Sequence, residues 1–184
     1  MFKRPGDVAR LGLLASAAIV LFVFEALAPR PLPWMKLGLG NLPVLLSLLS
    51  FGSGPALAVS SIKLVVGGLL SGGFAGPAFV IGGGAGLVSW LVMALIKRYT
   101  GRLFSVVGLS IWGALAHQLC QLLLAYAYIG QSGLFSLLPL SLISALLSGG
   151  LIGLLLGFGA GSLISNLTDL PAATVPMWAI LLSF

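Results

Sequence analysis

A chain of 184 residues with 59% hydrophobic content, 7% charged residues and a mean hydropathy of +1.19 cannot cover itself as a water-soluble domain does, with roughly 25% charged residues. Its nine basic and three acidic residues are bunched at a few points, which leaves long uncharged stretches and makes residues 1–184 one integral membrane domain with no separate soluble part. The net charge of +6 is read as membrane topology, and nucleic acid is excluded as a partner, because every basic residue but Lys63 sits at a segment end.

The first apolar segment covers 9–28. Lys3, Arg4 and Arg10 ahead of it and Ala26-Leu27-Ala28 at its end imitate a secretory leader, but the segment is expected to be retained as the first crossing. Pro29, Pro31 and Pro33 stop it, since proline removes helix donors. The second segment, 37–51, is short against the roughly 20 residues of a full span, which predicts a helix that is tilted, broken or shielded from lipid by its neighbours. A third, 55–70, carries Lys63 near its middle, and Ser71-Gly72-Gly73 closes it. The fourth, 74–96, runs into the basic loop of Lys97, Arg98 and Arg102, and the fifth, 104–128, ends at Gly130-Gln131-Ser132-Gly133. The sixth covers 134–162; the apolar tail 163–184 is too short to be assigned a seventh span. The expected fold is an all-α membrane protein, a bundle of six transmembrane helices. Six crossings put both termini on one side, together with Lys3, Arg4, Arg10, Lys97, Arg98 and Arg102, against Arg30 and Lys36 on the other. The positive-inside rule then predicts a multi-pass protein of the cytoplasmic membrane with both termini inside.

Ionisable side chains within a membrane cost several kcal/mol and mark candidate sites. Lys63 shares a face with Ser60 and Gly67, a narrow polar and small stripe that points into the bundle. It is either the partner of Glu25 in a structural ion pair, or the cation for an anionic ligand group, or a snorkelling side chain. Glu25, near the outer end of the first helix, either neutralises Lys36 or Lys63 or lines a ligand cavity. On the fifth helix Ser110, Gly113, His117, Gln121 and Tyr128 recur on one face as a polar seam, suited either to hydrogen bonds between helices or to ligand contact. His117 is the only histidine and has no Cys or carboxylate at ligand spacing, so no metal site is expected. Cys120 is read as packing. Gly67-Gly68, Gly82 to Gly86 and Gly149-Gly150 suit close helix packing or sliding helices. The sequence holds no triad, no paired carboxylates, no aspartate-rich diphosphate motif and no phosphate loop. Neither enzymatic activity nor a cofactor is expected, and a few polar groups converging in a bundle point to small-molecule binding or transport.

Glu25 followed by Pro31-Leu32-Pro33-Trp34-Met35-Lys36-Leu37-Gly38-Leu39-Gly40-Asn41, and Ser105 to Gly113 followed by His117-Gln118 and Gln121, resemble the bacterial family labelled Gx transporter, or heptaprenyl diphosphate synthase component I. The likeness covers nearly the whole chain. Members more often carry Arg, Ala and Asn where this chain has Lys63, Gly40 and Gln118. The family is similar to the substrate-binding S components of energy-coupling factor (ECF) transporters, six-helix uptake proteins. The resemblance implies a subunit that binds a small molecule from the outer side and docks on a membrane scaffold subunit carrying two cytoplasmic ATPases. It places Glu25, Lys36, Asn41, Lys63, Ser110, His117 and Gln121 at an outward cavity, and Gly12 with Ser16 on the docking face of the first helix. The synthase label implies instead a non-catalytic membrane accessory of polyprenyl diphosphate or quinone synthesis.

Overall fold

Prolines and glycines set the helix ends in the computed structural model, which describes residues 5–27, 38–100 and 104–168. Helix α1, Pro5–Leu27, has Asp7 in its first turn, where an acid suits the positive end of the helix dipole. A 3-10 turn, Leu39–Asn41, leads into α2, Leu42–Phe51, and α3 follows at once as Ser53–Leu70. The corner between α2 and α3 is Gly52 with φ 93°, a conformation that a Cβ would strain. Helix α4 is Pro77–Thr100 and α5 is Val106–Ile129, capped where the Ser105 hydroxyl accepts the Gly108 amide at 3.0 Å. A second 3-10 turn, Ser132–Leu137, leads into α6, Leu138–Thr168, which runs beyond the expected end at 162.

Among the described residues five helices are long and apolar enough to cross a bilayer: α1, α3, α4, α5 and α6 together with its preceding turn. The protein is a helical, multi-pass membrane bundle. The expected sixth crossing is the short one. At 1.5 Å per residue the ten residues of α2 cover about 15 Å, half of a hydrocarbon core about 30 Å thick.

Helices α3, α4, α5 and α6 follow one another around the bundle, α1 packs on α3, and α2 lies against α1, α3 and α6. Leu45 and Leu48 of α2 are buried in one cluster with Ala56 of α3, Met93 of α4, Leu109 of α5, and Ile152 and Leu156 of α6. All of these lie toward the end where α1 begins and α6 ends, so α2 plugs that half of the axis. Its shielding from lipid is one of the three outcomes expected for a segment too short to span.

A short helix inside a membrane leaves its terminal amides and carbonyls without water, at a cost of several kcal/mol per unsatisfied group. Two charged side chains from elsewhere in the chain supply the missing partners. The Glu25 carboxylate accepts the amide of Leu39 at 2.8 Å and that of Gly40 at 3.4 Å, at the start of the turn that leads into α2. The Lys97 ammonium, from α4, donates to the carbonyls of Leu48 and Leu49 in the last turn of α2. An anion at the amide end and a cation at the carbonyl end both agree with the helix dipole.

Glycines let the long helices touch. A Cβ at position 153 would sit 2.5 Å from the Val107 Cα, and one at 149 would sit 2.7 Å from the Ile111 Cα, so α6 lies against the backbone of α5. The Ser89 hydroxyl ties α4 to α5 by donating to the Gly113 carbonyl at 2.7 Å. Gly67 receives the Phe22 ring, and Gly83 receives the Leu64 side chain. Gly82, Gly86 and Gly150 differ, because nothing lies within 4 Å of where their Cβ atoms would be.

Candidate functional site

Because α2 fills only one half of the axis, the other half is hollow. A cavity of about 310 Å³ lies there with Leu45 of α2 at its floor, and all six helices contribute to its wall. Glu25, Asn41, Lys63, Ser110, His117 and Gln121, singled out from the sequence, all line it. Lys36 lies outside the described residues. Gly12 and Ser16 are exposed on α1, away from the cavity, with the Ser16 hydroxyl donating to the Gly12 carbonyl at 3.0 Å. Tyr128, grouped with the seam of α5 by its spacing, is exposed beyond the cavity. Cys120 is half-buried, in keeping with a packing role.

The geometry around Lys63 begins at Glu25. By holding the amides of Leu39 and Gly40, Glu25 fixes the turn that ends in Asn41, and the Asn41 side-chain oxygen accepts a hydrogen bond from the Lys63 ammonium at 2.6 Å. Lys63 is only 7% exposed, with Ser60 and Gly67 buried on the same face, as the stripe predicted. Both charges therefore meet the short turn before α2. Glu25 acts on its backbone and Lys63 on its side chain. The amino-terminal end of α2 points into the same space and adds partial positive charge to that of the ammonium. Glu25, its carboxylate held by the amides of Leu39 and Gly40, is the one acidic residue among the described residues that line the cavity.

Across the cavity α5 presents His117, Gln118 and Gln121, which offer donors and acceptors, while α4 presents the bare backbone of Gly82 and Gly86. Protein atoms leave the space in front of those two glycines empty. The cavity thus combines a cationic pole, a hydrogen-bonding wall and a smooth wall. Among the described residues no group of three His, Cys, Asp or Glu side chains gathers to hold a metal ion.

Some of these features escaped the sequence. The partners of Glu25 are backbone amides, which no side-chain pattern marks. Ser148 also lines the cavity from within an apolar run where nothing distinguishes it, and Gly82, read from its run as a packing or sliding glycine, lines it too. Gln118, which follows His117 in the quoted motif, could have been added from its position beside the seam.

The profile of the family described as heptaprenyl diphosphate synthase component I matches residues 14–158, well over half of the chain. The chain belongs to that family. The cavity-lining residues named above all fall within the matched stretch. Heptaprenyl diphosphate synthase component I is thus the family resemblance carried by the Glu25-to-Asn41 and Ser105-to-Gln121 stretches. No curated protein and no solved structure matches the chain significantly.

Proposed function

We propose that this member of the family is a substrate-binding membrane subunit, similar in role to the S component of an ECF importer, and not an enzyme. The carrying observation is the cavity itself, placed at the end of the bundle away from the start of α1 and the end of α6, with the buried ammonium of Lys63 in its wall beside Asn41. An ammonium in a membrane bundle is costly, and exposure to a cavity that takes an anionic solute gives it a use. Arg10, Lys97 and Arg98 lie toward the other end of the bundle, which supports a cytoplasmic-membrane orientation with the termini inside and the cavity facing out. In that orientation a small molecule with an anionic group enters from outside, and a scaffold subunit with cytoplasmic ATPases drives its release. The exposed Gly12 and Ser16 face of α1 is where the scaffold would dock.

The family name favours a second reading, a non-catalytic membrane accessory of polyprenyl diphosphate or quinone synthesis. Affinity purification from gently extracted membranes separates the two. The importer reading expects a membrane scaffold and ATPases in the eluate, and the accessory reading expects a soluble prenyl synthase; recovery of the synthase alone overturns the first. Native mass spectrometry of the same preparation reads the mass of any bound small molecule, which Lys63→Met should remove.

A further inference from the structure

The side wall of the cavity between α3 and α4 differs from the other helix contacts. Helices α5 and α6 meet backbone to backbone at Gly149 and Gly153, and α4 is tied to α5 by the Ser89 hydroxyl. Beside the cavity, α3 and α4 meet through apolar side chains laid over glycines. A Leu64 methyl comes to 2.7 Å of where a Cβ at Gly83 would be, and the Phe79 ring comes to 2.8 Å of the same position at Gly68. Phe74 leans on Phe79, with ring centroids 4.9 Å apart. Such a contact opens by rotation of side chains, without a backbone shift or a broken hydrogen bond.

Leu87 shows that the cavity reaches this seam. It follows Gly83 by one turn of α4, lines the cavity, is 42% exposed, and shares its helix face with Val80 and Leu91, which are exposed and do not line the cavity. One side chain therefore belongs both to the cavity wall and to the surface that faces lipid. The cavity wall thus holds both the polar pair Lys63 and Asn41 and the apolar residues Leu64, Phe79, Gly83 and Leu87 of this seam.

We propose that the cavity opens sideways into the bilayer between α3 and α4 and that its ligand is an amphiphile, with an anionic head at Lys63 and Asn41 and a hydrocarbon tail that leaves past Leu64 and Gly83 to lie along Leu87. This rests on the reading of the cavity as an anion-binding solute site and specifies the rest of the solute. Charge complementarity fixes the head at the ammonium, and continuity of the apolar seam with the lipid-facing surface fixes the course of the tail. A fully polar solute would leave the apolar seam unfilled and open to lipid acyl chains.

The test closes the seam reversibly. In a Cys120→Ser background, Leu64→Cys and Gly83→Cys are combined; the Leu64 Cγ lies 3.5 Å from the Cβ position at 83, which brings the two side chains within disulfide reach. The protein is placed in phosphatidylcholine nanodiscs. Binding is measured for inorganic phosphate, butyl phosphate and dodecyl phosphate, and for butanoate and dodecanoate as carboxylate counterparts. In the reduced protein a dodecyl anion should bind at least tenfold more tightly than the short anion with the same head. Oxidation should weaken dodecyl binding at least tenfold, spare the short anions, and be reversed by reduction. Lys63→Met should weaken every anion that binds. Leu87→Trp, which obstructs the groove from the lipid side with no change at Gly83, should act on the dodecyl anions alone. Binding that needs Lys63 but ignores tail length and the disulfide overturns the lateral opening and leaves the anion site standing. Tail-dependent binding indifferent to both Lys63→Met and the disulfide is partitioning into lipid and overturns the proposal. If no anion of either series binds, the anion-site reading falls and the amphiphile falls with it.

Discussion

Glu25 and Lys63 carry opposite charges into one cavity, yet each has its own task, and this separates what their substitutions should do. The Glu25 carboxylate completes the amide end of the short helix, so Glu25→Gln, whose side chain offers one acceptor oxygen, should lower the melting temperature with or without ligand. Loss of a charged hydrogen bond of this kind costs about 1.5–3 kcal/mol. Lys63→Met should weaken ligand binding at least tenfold, about 1.4 kcal/mol, and cost less stability, because a methionine of similar length fills the space. A double-mutant cycle on melting temperature checks the division. The two effects should add, and rescue of Lys63→Met by Glu25→Gln would show instead that the residues chiefly neutralise each other. The glycines divide in a similar way. Gly82→Leu puts a side chain into empty cavity space and should reduce binding at least tenfold with the melting temperature nearly unchanged. Gly153→Ala puts a Cβ against the Val107 backbone and should destabilise by about 1–3 kcal/mol, read as a lower melting temperature in detergent.

At the scale of single helices, α2 depends on residues far from it in the chain. Lys97 reaches its last carbonyls from 49 and 48 residues away, and Glu25 reaches the amides ahead of it from 14 and 15 residues away. Lys97→Met leaves those carbonyls to be satisfied by other means and should destabilise the bundle by about 1–3 kcal/mol, with Lys97→Arg restoring much of the loss; melting curves of both variants check it. The sequence made the helical membrane bundle, the turns and the shortness of segment 37–51 legible, because apolar length, proline and glycine act locally. It also exposed Glu25, Lys63, His117 and Gln121, since a polar side chain stands out in an apolar run. It did not show what Glu25 and Lys97 do there. In the sequence Lys97 stands only among the charges that orient the chain, and the groups it touches are carbonyls common to every residue. The cavity is equally hidden, because it arises from what α2 fails to fill.

For the whole molecule, the proposed orientation makes a direct prediction. With Cys120 replaced, a single cysteine at Gln131 should react with an impermeant reagent added outside intact cells, and one at Thr100 should react only after permeabilisation; the reverse pattern overturns the orientation. The half-length of α2 has an electrical consequence as well. Moving one elementary charge through the full membrane voltage is worth about 2.3 kcal/mol per 100 mV, so a site reached through a dielectric would make the affinity for an ion depend on voltage. Here the path from the cavity end holds Gly, Ser, Asn, Gln and His and leads to the floor at Leu45, and most of the voltage must drop across the plugged half below. In the proposed orientation Lys63 then stands close to the potential of the medium outside. In proteoliposomes the affinity for an anionic ligand should stay within about twofold when a potassium gradient sets the voltage to either sign, and a change of several-fold would show that the hollow half is sealed from water.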